Sequence, residues 1–161
     1  YDINRTFLAR TLIGVINQRL IRRLCPRCRQ EISGAGVVVQ NPHVVNRFGD
    51  TPPKLYRAVG CDACMQTGYD ALTCLTEVMV ADRDLEQAIV DDQPAGQLHQ
   101  LARAAGMMSL AESAQLRVLR GETTAAEATR VLADEELTEL AALARNAEIE
   151  QRPAAGCSPY G

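Results

Sequence analysis

Apolar residues recur at three- and four-residue steps through the first two dozen positions: Phe7, Leu8, Leu12, Val15, Ile16 and Leu20. That period predicts a helix over residues 4–24. Arg10, Arg19, Arg22 and Arg23 fall mostly off the stripe, and Pro26 stops it. Residues 30–59 carry no period and are punctuated by Gly34, Gly36, Pro42, Gly49, Pro52 and Pro53. Val37-Val38-Val39 reads as a short strand or a turn of helix, and so long an insert is expected to hold a small element of its own. Residues 54–60 and 72–80 read as two strands, with imperfect alternation.

From Asp82 the pattern is helical. Asp82 and Asp84 can cap a helix running through Val90, and Pro94 suits the start of the next, which ends at Gly106. Ser109 with Glu112, and Thr124 with Glu127, each have capping-box spacing. Gly121 suits a C-terminal cap between them. Residues 134–150 have Leu137, Leu140, Ala141 and Ala144 on one helical face, and the segment from Gln151 to Gly161 reads as a frayed tail. The expected fold is α+β and mostly helical. It comprises a long N-terminal helix, a small cysteine knot with a short antiparallel hairpin, and a C-terminal helical bundle.

Four cysteines give that outline a centre. Cys25-Pro26-Arg27-Cys28 and Cys61-Asp62-Ala63-Cys64 are two C-x-x-C pairs. Together they supply four thiolates, the donor set of a tetrahedral structural zinc site. Four thiolates close the coordination shell, so such a metal is structural rather than catalytic. The competing readings are unmetallated buried thiols or a pair of disulfides. Cys74 reads as a small apolar filler on a strand, Cys157 as a free thiol in the tail, and His43 as a substitute ligand or an ordinary polar residue. His99 stands alone.

Composition limits the remainder. The chain has 161 residues, 47% of them hydrophobic, with no Trp and two Phe, so the core is built from Leu, Val, Ile and Ala. The net charge of −3 hides a basic front and an acidic back. Arginines 5, 10, 19, 22, 23, 27 and 29 face a single acid, Asp2, whereas residues 134–150 carry six acids and only Arg145. The arginine-rich segment reads first as a solvated face with buried aliphatic stems. No run reaches the roughly 18–20 apolar residues of a membrane span, and no signal-type segment opens the chain. Without an initiator Met, it is expected to be a processed product or a piece of something longer. With no export signal visible, a reducing cytoplasm is expected, which favours metal over disulfides.

Nucleotide chemistry has no place to sit in this chain. A phosphate-binding loop needs a lysine after its second glycine. The only lysine, Lys54, follows Pro52-Pro53. Gly34-Ala35-Gly36 lacks the third glycine of a dinucleotide fingerprint, and neither histidine has a recognisable nucleophile motif nearby.

The segment from Ile13 to Cys28, IGVINQRLIRRLCPRC, resembles the "GVLAQRLVRRLCPxC" stretch of the ATPases of type II secretion and type IV pilus assembly. Gly60-Cys61 through Thr67-Gly68-Tyr69 is similar to their "GCxxCxxTGY", and Glu77-Val78-Met79 falls at their "E-hydrophobic-hydrophobic". Gly106-Met107-Met108-Ser109-Leu110 and Gly121 to Glu127 resemble "GMxsL" and "GxTTxEE". The likeness runs in order from about Phe7 to Leu132. It departs after Tyr69, where Asp70-Ala71 replace x-Gly-Arg, and at Asn17, where Ala is common.

The resemblance implies the C-terminal part of such a motor. Residues 1–24 would be a terminal helix of the RecA-like core, 25–80 a tetracysteine zinc subdomain with Cys25, Cys28, Cys61 and Cys64 as ligands, 81–133 a helical subdomain, and 134–161 an acidic helix and tail. It further implies ATP and magnesium only in the full-length parent, and a homo-hexameric ring in the cytoplasm, peripheral at the inner membrane. The partners would be the rest of that ring and the inner-membrane platform proteins of the apparatus. This chain alone should not hydrolyse ATP. The competing readings are a stand-alone zinc-ribbon adaptor, or a nucleic-acid-binding module using the arginine-rich helix. An aromatic-poor chain of acidic net charge offers little to nucleic acid.

Overall fold

A computed structural model describes residues 3–32, 41–48 and 53–132. The expected helix over 134–150, the tail with Cys157, and Val37-Val38-Val39 lie outside the described residues. The described part is α+β, with six α-helices and two small antiparallel sheets. It divides into two compact units. The first comprises residues 1–19 and 76–110, and the second residues 20–75 and 111–161.

The long N-terminal helix is not what forms. Helix α1 covers only Arg5–Thr11, with the Asn4 side chain accepting from the Phe7 N–H at 2.9 Å. After Leu12 the chain turns extended, and Gly14–Leu24 is strand β1. The reason is tertiary. Ile13, Val15, Ile16 and Ile21 are β-branched, and Gly14 weakens a helix by about 1 kcal/mol. A partner strand, β4 (Tyr69–Val80), is available to complete a ladder. A Cβ at Gly14 would stand 2.6 Å from the Met79 carbonyl oxygen, so only glycine fits the approach of the two strands there. The stripe that suggested a buried helix face is largely solvent-exposed, including Phe7, Val15, Ile16 and Leu20.

In the first unit, α1 packs against α3 (Arg83–Val90) and α3 against α4 (Ala95–Ala104). Its core is Ala9, Leu85, Ala88, Ala102, Met107 and Leu110. Asp82 caps α3 through the Leu85 N–H at 2.9 Å, and Pro94 stands immediately before α4, as the sequence indicates.

The second unit contains β2 (Gln30–Ile32), α2 (Pro42–Phe48), β3 (Leu55–Arg57), α5 (Leu110–Leu119) and α6 (Ala125–Val131). Helix α2 is the expected small element of the long insert. The two strands expected around the second C-x-x-C exist, but they do not pair with each other. β3 runs antiparallel to β2, with Glu31 opposite Tyr56, and β4 pairs with β1. The core gathers Ile21, Leu24, Val44, Leu55, Leu75, Val118 and Leu119. The C-terminal helices do not make one bundle, because α3 and α4 belong to the first unit and α6 to the second. Helix α5 ends as expected at Gly121 (φ +67°): Glu122 N–H bonds the Arg117 carbonyl and Gly121 N–H that of Val118. Among the described residues no helix is long and apolar enough to cross a membrane.

Candidate metal centre

Each C-x-x-C is presented by a tight backbone turn in the second unit. Cys25 follows β1 directly, and its carbonyl accepts from the N–H groups of Cys28 (3.3 Å) and Arg29 (3.0 Å). Its own N–H donates to Gly68 O at 2.9 Å, which fixes the first turn against the second. The second turn is a short 3-10 helix, Asp62–Cys64, whose Cys61 carbonyl accepts from Cys64 (3.1 Å) and Gln66 (2.9 Å). The chain leaves it through Met65 and Gln66, both left-handed, at φ 51° and 62°. Gly68 is also left-handed, and a Cβ there would lie 2.5 Å from that of Ala58.

These turns bring the four sulfurs within 4.8 Å of one another. Sγ–Sγ separations are 4.0 Å for Cys25–Cys61, 3.8 Å for Cys28–Cys64 and 3.8 Å for Cys61–Cys64. A tetrahedral ion with bonds of about 2.3 Å requires sulfurs about 3.8 Å apart, so the donor set and its spacing fit a metal ion. Cys25 and Cys64 are buried, and Cys28 and Cys61 half-buried.

Backbone donors already favour a thiolate. Burial pushes the Cys64 thiol up, but N–H donors of Cys61 (3.3 Å) and Gly68 (3.2 Å) and the neighbouring thiols outweigh it and hold it down at about 6. At Cys28, burial and the other three thiols outweigh a Gly60 backbone bond and push the thiol up to about 11. Four thiols this close thus share charge unequally until a cation allows all of them to ionise.

Around the cluster the structure brings together residues that sequence reasoning had assigned otherwise. Tyr69 Oη lies 2.8 Å from Thr124 Oγ1, and the Arg22 guanidinium sits 4.3 Å from the centroid of the Tyr69 ring. Thr124 caps α6 through the Glu127 N–H at 3.1 Å, as expected. The Glu127 carboxylate, however, does not complete a capping box. It takes the Arg22 guanidinium at 2.6 Å, the Arg22 N–H at 3.2 Å, and Arg130 at 2.6 and 2.8 Å. Its side chain is 0% exposed. Thr123 Oγ1 donates to the Arg22 carbonyl at 2.8 Å, and the Leu24 N–H to Glu122 O at 2.9 Å. The segment leading into Cys25 is thereby clamped to α6 and the loop before it. Nothing in the local sequence joins Arg22 to Glu127. Glu112, the other expected box member, accepts from Asn41 at 2.8 Å.

His43 lies on α2 and is not among the clustered donors, nor is Cys74, whose thiol donates to the Leu75 carbonyl at 3.4 Å. His99 belongs to the first unit.

A four-thiol cluster on two C-x-x-C turns, clamped in this way, could hold one metal ion, and four thiolates around it would leave no open catalytic position. The family profile described as "Type II/IV secretion system protein" matches residues 2–130, and the chain belongs to that family. It is 36% identical over 127 residues to the type II secretion system protein HxcR of Pseudomonas aeruginosa, covering 79% of this chain and 23% of that protein. It is 33% identical over 125 residues to the type IV pilus assembly ATPase PilB of Thermus thermophilus, covering 74% and 13%. With a type II secretion system protein E of Pseudomonas aeruginosa the identity is 31% over 132 residues, covering 80% and 25%. The chain therefore spans a quarter or less of the length of these three relatives.

Proposed function

We propose that these residues are the zinc-binding C-terminal region of a secretion or pilus-assembly ATPase. In this reading Cys25, Cys28, Cys61 and Cys64 hold one structural zinc ion. The observation that carries it is four sulfurs within 4.8 Å of one another, three of their separations 3.8–4.0 Å, in a chain of this family. Bound zinc supplies charge neutralisation and a covalent-strength staple between the two turns, not a Lewis-acid site, because thiolates fill the shell. The residues around it do the rest. Gly68 and Cys61 orient Cys64 with their N–H groups, and Arg22, Tyr69, Thr124 and Glu127 tie the knot to α6.

The region's role is coupling rather than chemistry. Nucleotide hydrolysis belongs to residues this chain does not contain, since no lysine follows a glycine-rich loop in it. A stiff knot joined to helices passes movement on as a rigid body. The parent protein in this reading is a cytoplasmic hexameric ring at the inner membrane, working with platform proteins there. The nucleic-acid reading loses its basis, because the arginine-rich segment is a strand and two of its arginines are engaged internally. Arg22 is held by Glu127, while Arg29 donates to Gly121 O at 2.8 Å and stacks on Tyr56.

The test is elemental mass spectrometry of the reduced 161-residue chain. One zinc per chain is expected, falling to a small fraction in Cys64→Ser. A metal-free chain whose four thiols titrate as two disulfides would overturn the zinc reading. The coupling role is tested in the full-length protein, where Arg22→Ala should leave zinc content unchanged and lower transport more than ATP hydrolysis. Equal loss of both would overturn coupling.

A further inference from the structure

The four clustered sulfurs are also reducing groups, and their arrangement decides which of them would combine on oxidation. Two separations cross from one turn to the other: Cys28–Cys64 at 3.8 Å and Cys25–Cys61 at 4.0 Å. These pairs share no residue, so both can close in one molecule. Each joins a half-buried cysteine, Cys28 or Cys61, to a buried one, Cys64 or Cys25. The half-buried member can meet a small oxidant, and the buried member stands beside it at contact distance. Disulfide sulfurs lie about 2.05 Å apart, so closure moves each sulfur by about 1 Å.

Cys61–Cys64, also at 3.8 Å, is the competing pair within one turn. Two features favour the crossing pairs. The first is that backbone alone holds the turns together. The Gly68 carbonyl accepts from the Cys25 N–H at 2.9 Å, and the Gly68 N–H donates to Cys64 Sγ at 3.2 Å. The turns are therefore held in place while a metal leaves. The second is loop length: each crossing pair spans 36 positions, against 3 for the pair within the turn. Closing the longer loop removes more freedom from the unfolded chain, so the crossing bridges stabilise the fold more.

We propose that this cluster is a reversible modification site for hydroperoxides, which convert it to the disulfides Cys28–Cys64 and Cys25–Cys61 while the second unit stays folded. The proposal rests on the zinc reading only for the identity of the ion released. The Cys28 thiolate attacks one peroxide oxygen and breaks the O–O bond. It becomes a sulfenic acid, and the other oxygen takes a proton and leaves as water. The Cys64 thiolate then attacks the sulfenic sulfur, forming the S–S bond and expelling hydroxide, which a proton converts to water. Two thiolates, one hydrogen peroxide and two protons thus give one disulfide and two waters. The thiols lose two electrons and the peroxide gains them. Cys61 and Cys25 follow with a second peroxide. Disulfide sulfurs carry no charge to hold a cation, so the metal ion is released. A dithiol reverses both bonds by exchange.

The experiment uses the reduced 161-residue chain with Cys157→Ser, which removes the tail thiol. Its metal content is measured, and it is then treated with a small excess of hydrogen peroxide. Remaining thiols are alkylated, disulfides are mapped by mass spectrometry, and released zinc is read with a chromogenic chelator. Cys28–Cys64 and Cys25–Cys61 are expected, with zinc released in step and Cys74 still alkylated. The oxidised, metal-free chain should melt above the reduced chain stripped by a chelator. Dithiothreitol with zinc should restore the starting metal content. Bridges within the turns, sulfinic or sulfonic acid at the cluster, or four thiols still alkylated would each overturn the proposal. Cys28→Ser separates the pairings: crossing gives Cys25–Cys61 with Cys64 free, and pairing within turns gives Cys61–Cys64. If that variant does not fold, the map of the four-cysteine chain decides. A chain without metal before peroxide would sink the zinc reading, and the disulfide map would still judge this one.

Discussion

Glu127 is wholly enclosed and yet ionised, and the groups around it explain why. Burial pushes its carboxyl up, but the hydrogen bonds from Arg130 and Arg22, and the Arg22 N–H, outweigh that and bring it from 4.5 down to about 2. A folded-state value below the unfolded one means stability that is present above about pH 4.5. That stability is lost as the pH falls toward 2. The shift corresponds to at most about 3 kcal/mol. Glu127→Gln should therefore lower unfolding free energy at pH 7 by about 3 kcal/mol, because it strands Arg22 and Arg130. Urea titrations at pH 7 and pH 3 check this: the gap between the two proteins should narrow at the lower pH. Gly121→Ala tests a second tight point. At φ +67° its Cβ would come within 2.4 Å of the Tyr56 ring, the ring on which Arg29 stacks. A loss of about 2 kcal/mol, read as a lower melting temperature, is expected.

Among the elements, α3 offers the cleanest measurement of local design. Asp82→Ala removes the acceptor for the Leu85 N–H and should cost about 1 kcal/mol in a denaturant titration. The features that sequence reading placed correctly are of this local kind. The Asp82 and Thr124 caps, the Gly121 terminus and the starts of α3 and α4 are written within a few residues of where they act. The clustering of the four cysteines is equally legible, because each C-x-x-C is a single turn that brings its two sulfurs to one side. Residues 13–24 failed for the opposite reason. Phe7, Leu8, Leu12, Val15, Ile16 and Leu20 satisfy a helical period, but the strand is decided by β4, which begins 45 residues after β1 ends. The Arg22–Glu127 clamp joins positions 105 apart, and no local pattern could have announced it.

For the whole molecule, the four-thiol cluster, and with it the proposed zinc, belongs to only one of the two units. Chelating zinc from the reduced protein should expose backbone amides of residues 20–32, 53–75 and 111–132 to hydrogen exchange while α3 and α4 keep their protection. Mass-resolved exchange would check this, and uniform loss across both units would show that they unfold together. Acid should release the metal as well, since protons compete for the sulfurs.

The order of the two units along the chain is first, second, first, second, with switches between residues 19 and 20, 75 and 76, and 110 and 111. Neither is a contiguous piece. A ribosome that has delivered residue 75 has completed neither: the first unit still lacks α3 and α4, and the knot lacks Glu127. At residue 110 only the first can close. The cysteines are thus made long before the helix that clamps them, and for that interval they wait in an unfinished unit. A nascent chain stalled far enough past Cys64 for all four sulfurs to emerge, but before α6 has emerged, should still be open to thiol-alkylating reagents, and one stalled far enough past Val131 for α6 to emerge should not.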